Sequence, residues 1–206
     1  MCNICIANNV LIVSDEIHSD LVFHGKKHIP TATLSPEIAT HVISCISGTK
    51  TFNLAGLQAS ATIFPNQKLK ARFDKFWFNL DIHRNNAFST IAMEVAFNEG
   101  EEWLEQLLGY IGGILNLLRI TARPISPRLS QMCRMQPIWY GWTAALGMGN
   151  EELRDFMIRK AGLGLNEGWS FGRSLSGFMR LNAACPRPVL EKAMEQLKHA
   201  VDERNA

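Results

Sequence analysis

A lysine and an aspartate each follow an apolar run of this sequence, where chemistry at a sheet edge would be expected. Asp15 ends the run Val10–Ser14, and Lys50 follows the run His41–Ile46 through Ser47, Gly48 and Thr49. In open parallel sheets, ligands bind at the carboxyl ends of the strands. We therefore consider Asp15 either a ligand-facing carboxylate or the cap of a nearby turn.

Lys50 has two possible roles that its loop could support. The small residues before it offer backbone N–H groups and hydroxyls that can surround a phosphate. A lysine there can contact the phosphate or act as a nucleophile that forms a Schiff base. Composition alone favours the simpler alternative, a solvated loop lysine.

Two further residues have side chains suited to a binding site. Arg180 interrupts the apolar piece Gly177–Asn182, so we expect it to be half-buried, where it would bind a carboxylate or form a structural ion pair. His18 lies three residues after Asp15 and could titrate near neutral pH or simply hydrogen-bond within a loop.

The elements that must position these residues change along the chain. Uninterrupted apolar runs at Val10–Ser14 and His41–Ile46 are typical of strands buried on both faces, and Ser35–Thr40 between them predicts a helical turn. This pattern predicts a βαβ unit. A further strand is predicted at Gln58–Phe64.

From about Ser89 the pattern predicts helices. The apolar spacing of Trp103 to Leu118 is helical. A helix is predicted to begin at Asn150, as its N-cap, and to end at Gly162. The last helix is predicted to begin at Pro188. The predicted apolar face of that last helix consists of Leu190, Met194, Leu197 and Val201.

Composition excludes several classes of protein. The formal net charge of +2 gives no support to nucleic-acid binding. No apolar run reaches the roughly 18 residues needed to cross a bilayer, so no membrane partner is expected. Five cysteines and no evident signal peptide favour the cytoplasm.

Taken together, three segments resemble the fold-type-I enzymes that depend on pyridoxal phosphate (PLP). The similarity is to the bacterial cystathionine and cysteine-S-conjugate β-lyase subgroup of the class I/II aminotransferase superfamily. The matching segments are Val13–Asp20, Ser47–Leu57 and Phe178–Arg187. Three motifs in the same order are far more specific than any one of them.

The resemblance implies a role for each candidate residue. Lys50 would carry PLP as a Schiff base and act as the general base, and Asp15 would pair with the pyridine nitrogen. Ser47 and Thr49 would help to hold the phosphate, and Arg180 would bind the carboxylate of an amino-acid substrate. His18 stands where many aminotransferases have a tyrosine near the ring oxygen, so we include it among the cofactor-binding residues.

The resemblance also implies a reaction. Many class I aminotransferases have an arginine eight residues after the lysine, where this chain has Gln58. That difference and the run Asp15–Asp20 favour a β-lyase that releases thiol, pyruvate and ammonia from cystathionine or cysteine S-conjugates. Transamination, and an inactive chain that does not bind PLP, stay open as alternatives.

The implied fold is α/β, the C-terminal part of the PLP-dependent transferase fold. Parallel-rich sheet strands would be followed by a smaller α+β C-terminal domain. Residues 1–88 would end the large PLP-binding domain, 89–119 would be connecting helices, and 120–206 would form the small domain. We expect the chain to be a C-terminal fragment in which Met1 is an internal methionine. The family is typically homodimeric, and whether this chain dimerises stays open.

One stretch departs from the family pattern. There is no Asp, Glu or Lys between Glu105 and Glu151, and residues 120–145 contain Pro124, Pro127 and Pro137. Either this is a genuine irregular loop or it is translated out of frame. Reading permissible codons one base earlier converts parts of it into peptides similar to the family. The nucleotide sequence of the gene tests this hypothesis.

Overall fold

The computed structural model describes residues 1–23, 25–82, 86–125, 133–136, 139–143 and 146–206. The chain divides into two compact units, Met1–Leu107 and Leu108–Ala206. Each unit contains a small sheet of its own. The three-part division predicted from the sequence stays a prediction.

The first unit contains a mixed three-stranded sheet in the order β1-β2-β3. Strand β1 (Ile12–Asp15) pairs parallel with β2 (Val42–Ile46), and β2 pairs antiparallel with β3 (Ala61–Ile63). The crossover includes the short helix α2 (Pro36–Ala39), whose N-cap Ser35 accepts a hydrogen bond from the N–H of Ile38. The predicted βαβ unit is therefore confirmed.

Five helices complete the first unit or begin in it. The short helix α1 (Cys2–Ala7) precedes the sheet, and α3 (Gly48–Thr51) follows β2 directly. After β3 come α4 (Gln67–Asn79), α5 (Ser89–Glu99) and α6 (Glu101–Ile125), the last of which continues into the second unit.

Two predictions about the first unit were wrong. Strand β1 is not buried on both faces, because Val13 is 65% exposed. The apolar run correctly predicts a strand, but the sequence alone does not show which faces of that strand are covered by other elements. A long helix, α4, also lies before Ser89, where no helix of this length was predicted. Helix α4 was missed because lysines and an arginine are interleaved with its aromatic residues, although its N-cap Asn66 accepts from the N–H of Leu69 at 2.9 Å.

The second unit contains an antiparallel sheet in the order β4-β5-β7-β6. Its strands are β4 (Cys133–Gln136), β5 (Trp139–Thr143), β6 (Asn166–Glu167) and β7 (Phe178–Asn182). Helix α7 (Asn150–Asp155) continues as a π-helical turn over Phe156–Lys160, and α8 (Arg187–Asn205) ends the chain.

The core of the second unit lies between its helices and β7. Helix α8 contributes the predicted apolar face, and all four of those residues are at most 3% exposed. Leu118 of α6 and Met157 of the π-helical turn are buried against the same cluster, with Met179 and Leu181 of β7. The predicted apolar face of α8 is thus confirmed as core-forming, and so is the part of the α6 stripe from Ile111 to Leu118, whereas Trp103 is 45% exposed.

One capping prediction in the second unit was wrong. The N-cap of α7 is Gly149, and Asn150 is the first helical residue. The Asn150 side chain instead accepts hydrogen bonds from the N–H of Gly177 at 2.9 Å and from the Ser176 hydroxyl at 3.0 Å. A tertiary contact thus replaces the local cap. The predicted stop at Gly162 is confirmed by its left-handed φ of +66°.

The stretch that departs from the family pattern is described only in part. Helix α6 extends through Pro124 to Ile125, and β4 and β5 form in the part that follows. Pro127, Pro137 and the neighbouring residues that carry the rest of the hypothesis lie outside the described residues. The out-of-frame hypothesis stays a prediction. Among the described helices, none is long and apolar enough to cross a membrane.

Candidate active site

The carboxyl end of β1 carries the first candidate residue. Asp15 is the last residue of the strand and lies opposite Cys45 of β2 in the parallel register. Its carboxylate is exposed and accepts a hydrogen bond from the N–H of Ile17 at 3.3 Å. The backbone then turns over residues 17–20, so Asp15 and His18 belong to one tight segment. We call residues 15–20 the acidic turn.

Lys50 lies on the single helical turn α3, directly after β2. The N-cap of this turn is Ser47, whose hydroxyl accepts from the N–H of Thr49 at 3.0 Å. The residues around Lys50 are buried, while Lys50 itself is exposed. Because β1 and β2 are parallel, Asp15 and Lys50 emerge at the same edge of the sheet.

The charges of Lys50 and Asp15 both act on His18. Burial lowers the pKa of His18, the positive charge of Lys50 lowers it further, and the negative charge of Asp15 opposes both effects. Asp15 and Lys50 both lie at the carboxyl edge of the sheet, and His18 follows Asp15 within the same turn. The structure therefore brings Asp15, His18 and Lys50 into one cluster. The lowered pKa makes the neutral imidazole the dominant form near pH 7.

The hydroxyls of Ser47 and Thr49 are buried beneath this cluster. Ser47 Oγ lies 2.6 Å from Thr49 Oγ1 and donates to the carbonyl of Ala59, also at 2.6 Å. Their hydrogen bonds hold α3 against the segment before β3. A phosphate bound by either hydroxyl would have to replace one of these contacts.

Aromatic rings pack beneath α3. The ring of Phe52 makes an edge-to-face contact with Phe97 of α5, with centroids 5.7 Å apart, and lies 6.0 Å from the ring of Trp103. A Cβ added to Gly48 would come within 3.1 Å of the Phe97 ring. Glycine at position 48 thus allows α5 to approach the lysine-bearing turn closely.

Glu16 is a buried carboxylate that the sequence analysis missed. It is only 6% exposed and accepts hydrogen bonds from the N–H of Thr31 at 2.9 Å and from the hydroxyl of Ser14 at 2.8 Å. Nε2 of His28 lies 3.1 Å from its second oxygen. These contacts tie the acidic turn to residues 28–31. The sequence around Glu16 gives no indication that this carboxylate is buried.

Asp20 and Thr51 are a second pair that the sequence analysis missed. The hydroxyl of Thr51 donates to Asp20 Oδ2 at 2.7 Å, which joins α3 to the acidic turn. Both residues stand in the segments that carry the family resemblance. However, their 31-residue separation conceals that they touch.

Arg180 belongs to the second unit. It is half-buried on β7, as predicted, and its Nη2 donates to Asn166 Oδ1 at 3.1 Å. Its guanidinium lies 4.3 Å from the centroid of the Phe171 ring. The amide and the aromatic face together orient a planar group suited to bidentate contact with a carboxylate.

The sheet edge, the lysine-bearing turn and the acidic turn all lie in the part of the chain that matches a known family. Residues 1–105 match the family model described as aminotransferase class I and II. The chain belongs to this family, whose cofactor is PLP.

Two similar proteins place the chain more finely within the family. Cystathionine beta-lyase PatB of Bacillus subtilis is 36% identical over 203 residues, which cover 96% of this chain and 51% of that protein. The crystal structure of cystalysin from Treponema denticola, which contains PLP, superposes with a TM-score of 0.91 at 26% identity. That match covers 98% of this chain and 52% of cystalysin. The chain thus spans about half the length of the relatives it matches.

A third similarity is to the PLP-bound C-S lyase from Staphylococcus hominis. It superposes with a TM-score of 0.83 at 26% identity and covers 99% of this chain and 53% of that one. The fold is therefore the α/β fold of the PLP-dependent aminotransferases, as predicted.

The donor set at the sheet edge fits PLP. An exposed primary amine at Lys50 can form a Schiff base with an aldehyde, and an exposed carboxylate at Asp15 can accept a hydrogen bond from a protonated pyridine. The pKa of the His18 imidazole is affected by both charges, since Lys50 lowers it and Asp15 raises it. Within the described part of the chain, no group of three or more His, Cys, Asp or Glu side chains is arranged to hold a metal ion.

Proposed function

We propose that this chain is the C-terminal part of a PLP-dependent carbon–sulfur β-lyase. The overall reaction would convert cystathionine or another cysteine S-conjugate and water into a thiol, pyruvate and ammonia. The observation that carries this proposal is the cluster of Asp15, His18 and Lys50 at one sheet edge. The similarity to PatB and cystalysin supports the lyase over other reactions of the family.

Lys50 is proposed to hold the cofactor and to move the substrate proton. Its amine would bind the PLP aldehyde covalently, and after exchange with the substrate it would take the proton from Cα. The exposed position on α3 leaves the amine accessible from the sheet edge. Bound PLP would supply the electron sink for the negative charge left on Cα.

Asp15 and His18 are proposed to contact the cofactor ring. The Asp15 carboxylate would accept a hydrogen bond from the pyridine N–H and keep that nitrogen protonated. His18 would be a neutral hydrogen-bonding partner, since burial and Lys50 lower its pKa. Ser47 and Thr49 are proposed to contribute to the phosphate site, chiefly by holding α3 in place through their mutual hydrogen bond.

Arg180 is proposed to bind the α-carboxylate of the substrate. Its contacts with Asn166 and Phe171 restrict the guanidinium, which reduces the entropy lost on binding. Loss of this group would weaken binding of every amino-acid substrate. The whole protein is proposed to be a homodimer, as the family resemblance implies, and to lie in the cytoplasm, as the cysteine content favours.

Transamination is the second candidate function. Aspartate aminotransferase of Geobacillus stearothermophilus is 30% identical over 118 residues, which cover 56% of this chain and 29% of that protein. Against it, position 58 is a glutamine, and Gln58 adopts a left-handed φ of +52° at the end of a short 3₁₀ turn. The proposed lyase thus lacks the arginine that would bind phosphate in many aminotransferases.

One assay separates the candidate functions. The purified chain is incubated with PLP and cystathionine, and pyruvate is measured with lactate dehydrogenase and NADH. A parallel sample receives a keto acid, and transferred amine is measured by chromatography. The lyase proposal predicts pyruvate without added keto acid, abolished in Lys50→Ala. Amine transfer alone would favour the aminotransferase, and neither product, with no spectral change on adding PLP, would favour an inactive chain.

A further inference from the structure

One hydrogen bond joins the two segments that carry the candidate active-site residues. Thr51 directly follows Lys50, and Asp20 lies two residues after His18. The Thr51 hydroxyl donates to Asp20 Oδ2 at 2.7 Å across 31 residues of sequence. The contact therefore links the lysine-bearing turn α3 to the acidic turn.

The burial of Thr51 makes this hydrogen bond difficult to break. Thr51 is 0% exposed, so its hydroxyl has no access to water as an alternative partner. A buried hydroxyl without a partner is unfavourable, and a carboxylate is a stronger acceptor than a neutral oxygen. Any movement of α3 away from the acidic turn would have to break this bond.

The other hydrogen bonds of α3 and of the acidic turn connect these segments to other parts of the chain and not to each other. Ser47 caps the start of α3, and the N–H of Leu54 donates to the carbonyl of Thr49 at 2.8 Å at its end. Glu16 ties the acidic turn to residues 28–31. The contact between Thr51 and Asp20 instead spans the gap between Lys50 and His18.

We propose that Asp20 and Thr51 are positioning residues that fix Lys50 relative to Asp15 and His18. Neither side chain is proposed to touch the cofactor or the substrate. The inference rests on the proposed function, because positioning matters only if Lys50 reacts. If the contact is lost, α3 is expected to shift, and the amine would spend less time where the cofactor aldehyde can be attacked.

The first test needs no cofactor, because His18 reports the proximity of Lys50. The His18 resonance is assigned with a His18→Gln variant and titrated by NMR in the folded 206-residue chain. Thr51→Val keeps the side-chain shape and removes the hydroxyl, and Asp20→Ala removes the acceptor. Both variants are expected to raise the pKa of His18, since Lys50 and the surrounding atoms would lie further from the ring.

Three matched variants separate positioning from charge and from general stability. Thr51→Ser keeps the donor, and Asp20→Asn keeps an acceptor oxygen while removing the charge. Ser89→Ala removes another hydroxyl of a fully buried residue, which donates to the carbonyl of Asn86 at 3.0 Å. All three are expected to leave the His18 pKa as in the wild type. An unchanged His18 pKa in folded Thr51→Val or Asp20→Ala would overturn the proposal.

The second test follows the reaction of the amine with PLP by the absorbance of the lysine adduct. A displacement of about 1 Å can cost up to ~100-fold in rate, so we expect formation in Thr51→Val to be slower by about tenfold. Thr51→Ser should restore it. If the wild-type chain forms no adduct, the proposed function fails, and the His18 titration alone still decides on the positioning pair.

Discussion

At the scale of single residues, neighbours in the acidic turn experience different environments. Asp15 is exposed, whereas Glu16 is 6% exposed and accepts several hydrogen bonds. His18 is partly buried and senses both Lys50 and Asp15. The alternation follows from the strand geometry that ends at Asp15, because successive side chains of a strand point to opposite faces. The exposed carboxylate of Asp15 is thus followed by the buried carboxylate of Glu16, whose hydrogen bonds hold the acidic turn in place.

Glu16 is expected to make the stability of the first unit depend on pH. Burial by itself would raise the pKa of Glu16, but hydrogen bonds from Thr31, His28 and Ser14 outweigh it and lower the pKa below the ordinary 4.5. A lowered pKa in the folded state contributes stability above the unfolded pKa, and that contribution is lost as pH falls through the folded pKa.

Glu16→Gln should therefore lower the free energy of unfolding at pH 7 by about 1.5–3 kcal/mol, the usual range for hydrogen bonds to a charged group. The difference between variant and wild type should shrink as the pH is lowered below 4.5. Urea unfolding at low protein concentration, followed from pH 7 to pH 3, measures it. A difference that is independent of pH would contradict the assignment.

The pKa of His18 tests the clustering of the candidate residues directly. Burial lowers this pKa first, Lys50 lowers it second and Asp15 raises it. Lys50→Met should therefore raise the pKa of His18, and Asp15→Asn should lower it. NMR titration of the folded variants provides the measurement. Lys26→Met, on a neighbouring loop, serves as the control and should leave the value unchanged.

At the scale of elements, the sequence was most informative where apolar periodicity is unbroken. The strands β1 and β2, helix α6 and the buried face of α8 were all predicted from that periodicity. Helix α4 was missed because basic residues disrupt its apolar pattern. The cap at Asn150 was misplaced because a contact with Gly177 competes with the local hydrogen bond.

The candidate site was predictable residue by residue but not as a network. Asp15 and Lys50 were found because each follows an apolar run, and family motifs reinforced them. The pairing of Asp20 with Thr51 depends on how β1 and β2 align, and sequence spacing does not encode that alignment. Glu16 resembles any surface acid until the segment containing Thr31 folds over it.

Glycine at position 100 is expected to be essential for packing beneath α3. A Cβ there would lie 2.3 Å from the carbonyl oxygen of Ala96 and 2.5 Å from the Phe52 ring. Gly100→Ala should reduce the free energy of unfolding by about 1–3 kcal/mol, as overpacking commonly does. Equilibrium urea unfolding measures the change.

Gly113→Ala is the matched control, because a Cβ at Gly113 would meet no atom within 4 Å. Gly113 is an interior residue of α6, so alanine should raise the stability by about 0.5–1 kcal/mol through its helix propensity. Equal destabilisation by both substitutions would show that the predicted contact at Gly100 is not responsible.

At the scale of the whole molecule, the chain consists of two compact units and spans about half the length of its relatives. Large apolar side chains are exposed on the first unit. Val13 is 65% exposed, Ile63 is 54% exposed, and Phe76 and Phe78 of α4 are 60% and 68% exposed. Exposed apolar surface of this kind favours association.

We expect the purified chain to self-associate as its concentration rises. Sedimentation velocity over a concentration series should show growing species larger than the 23.1 kDa monomer. Phe76→Ser combined with Phe78→Ser should reduce them, because the substitutions remove exposed apolar area without touching the core. A monodisperse monomer at high concentration would contradict this expectation.

The identity of the lysine that reacts with PLP tests the central claim most directly. The chain is mixed with PLP, reduced with borohydride, digested and analysed by mass spectrometry. We predict that the PLP adduct is found on the peptide containing Lys50 and is lost in Lys50→Ala but retained in Lys26→Ala. An adduct spread over other lysines and unaffected by Lys50→Ala would contradict the assignment of this sheet edge as the cofactor site.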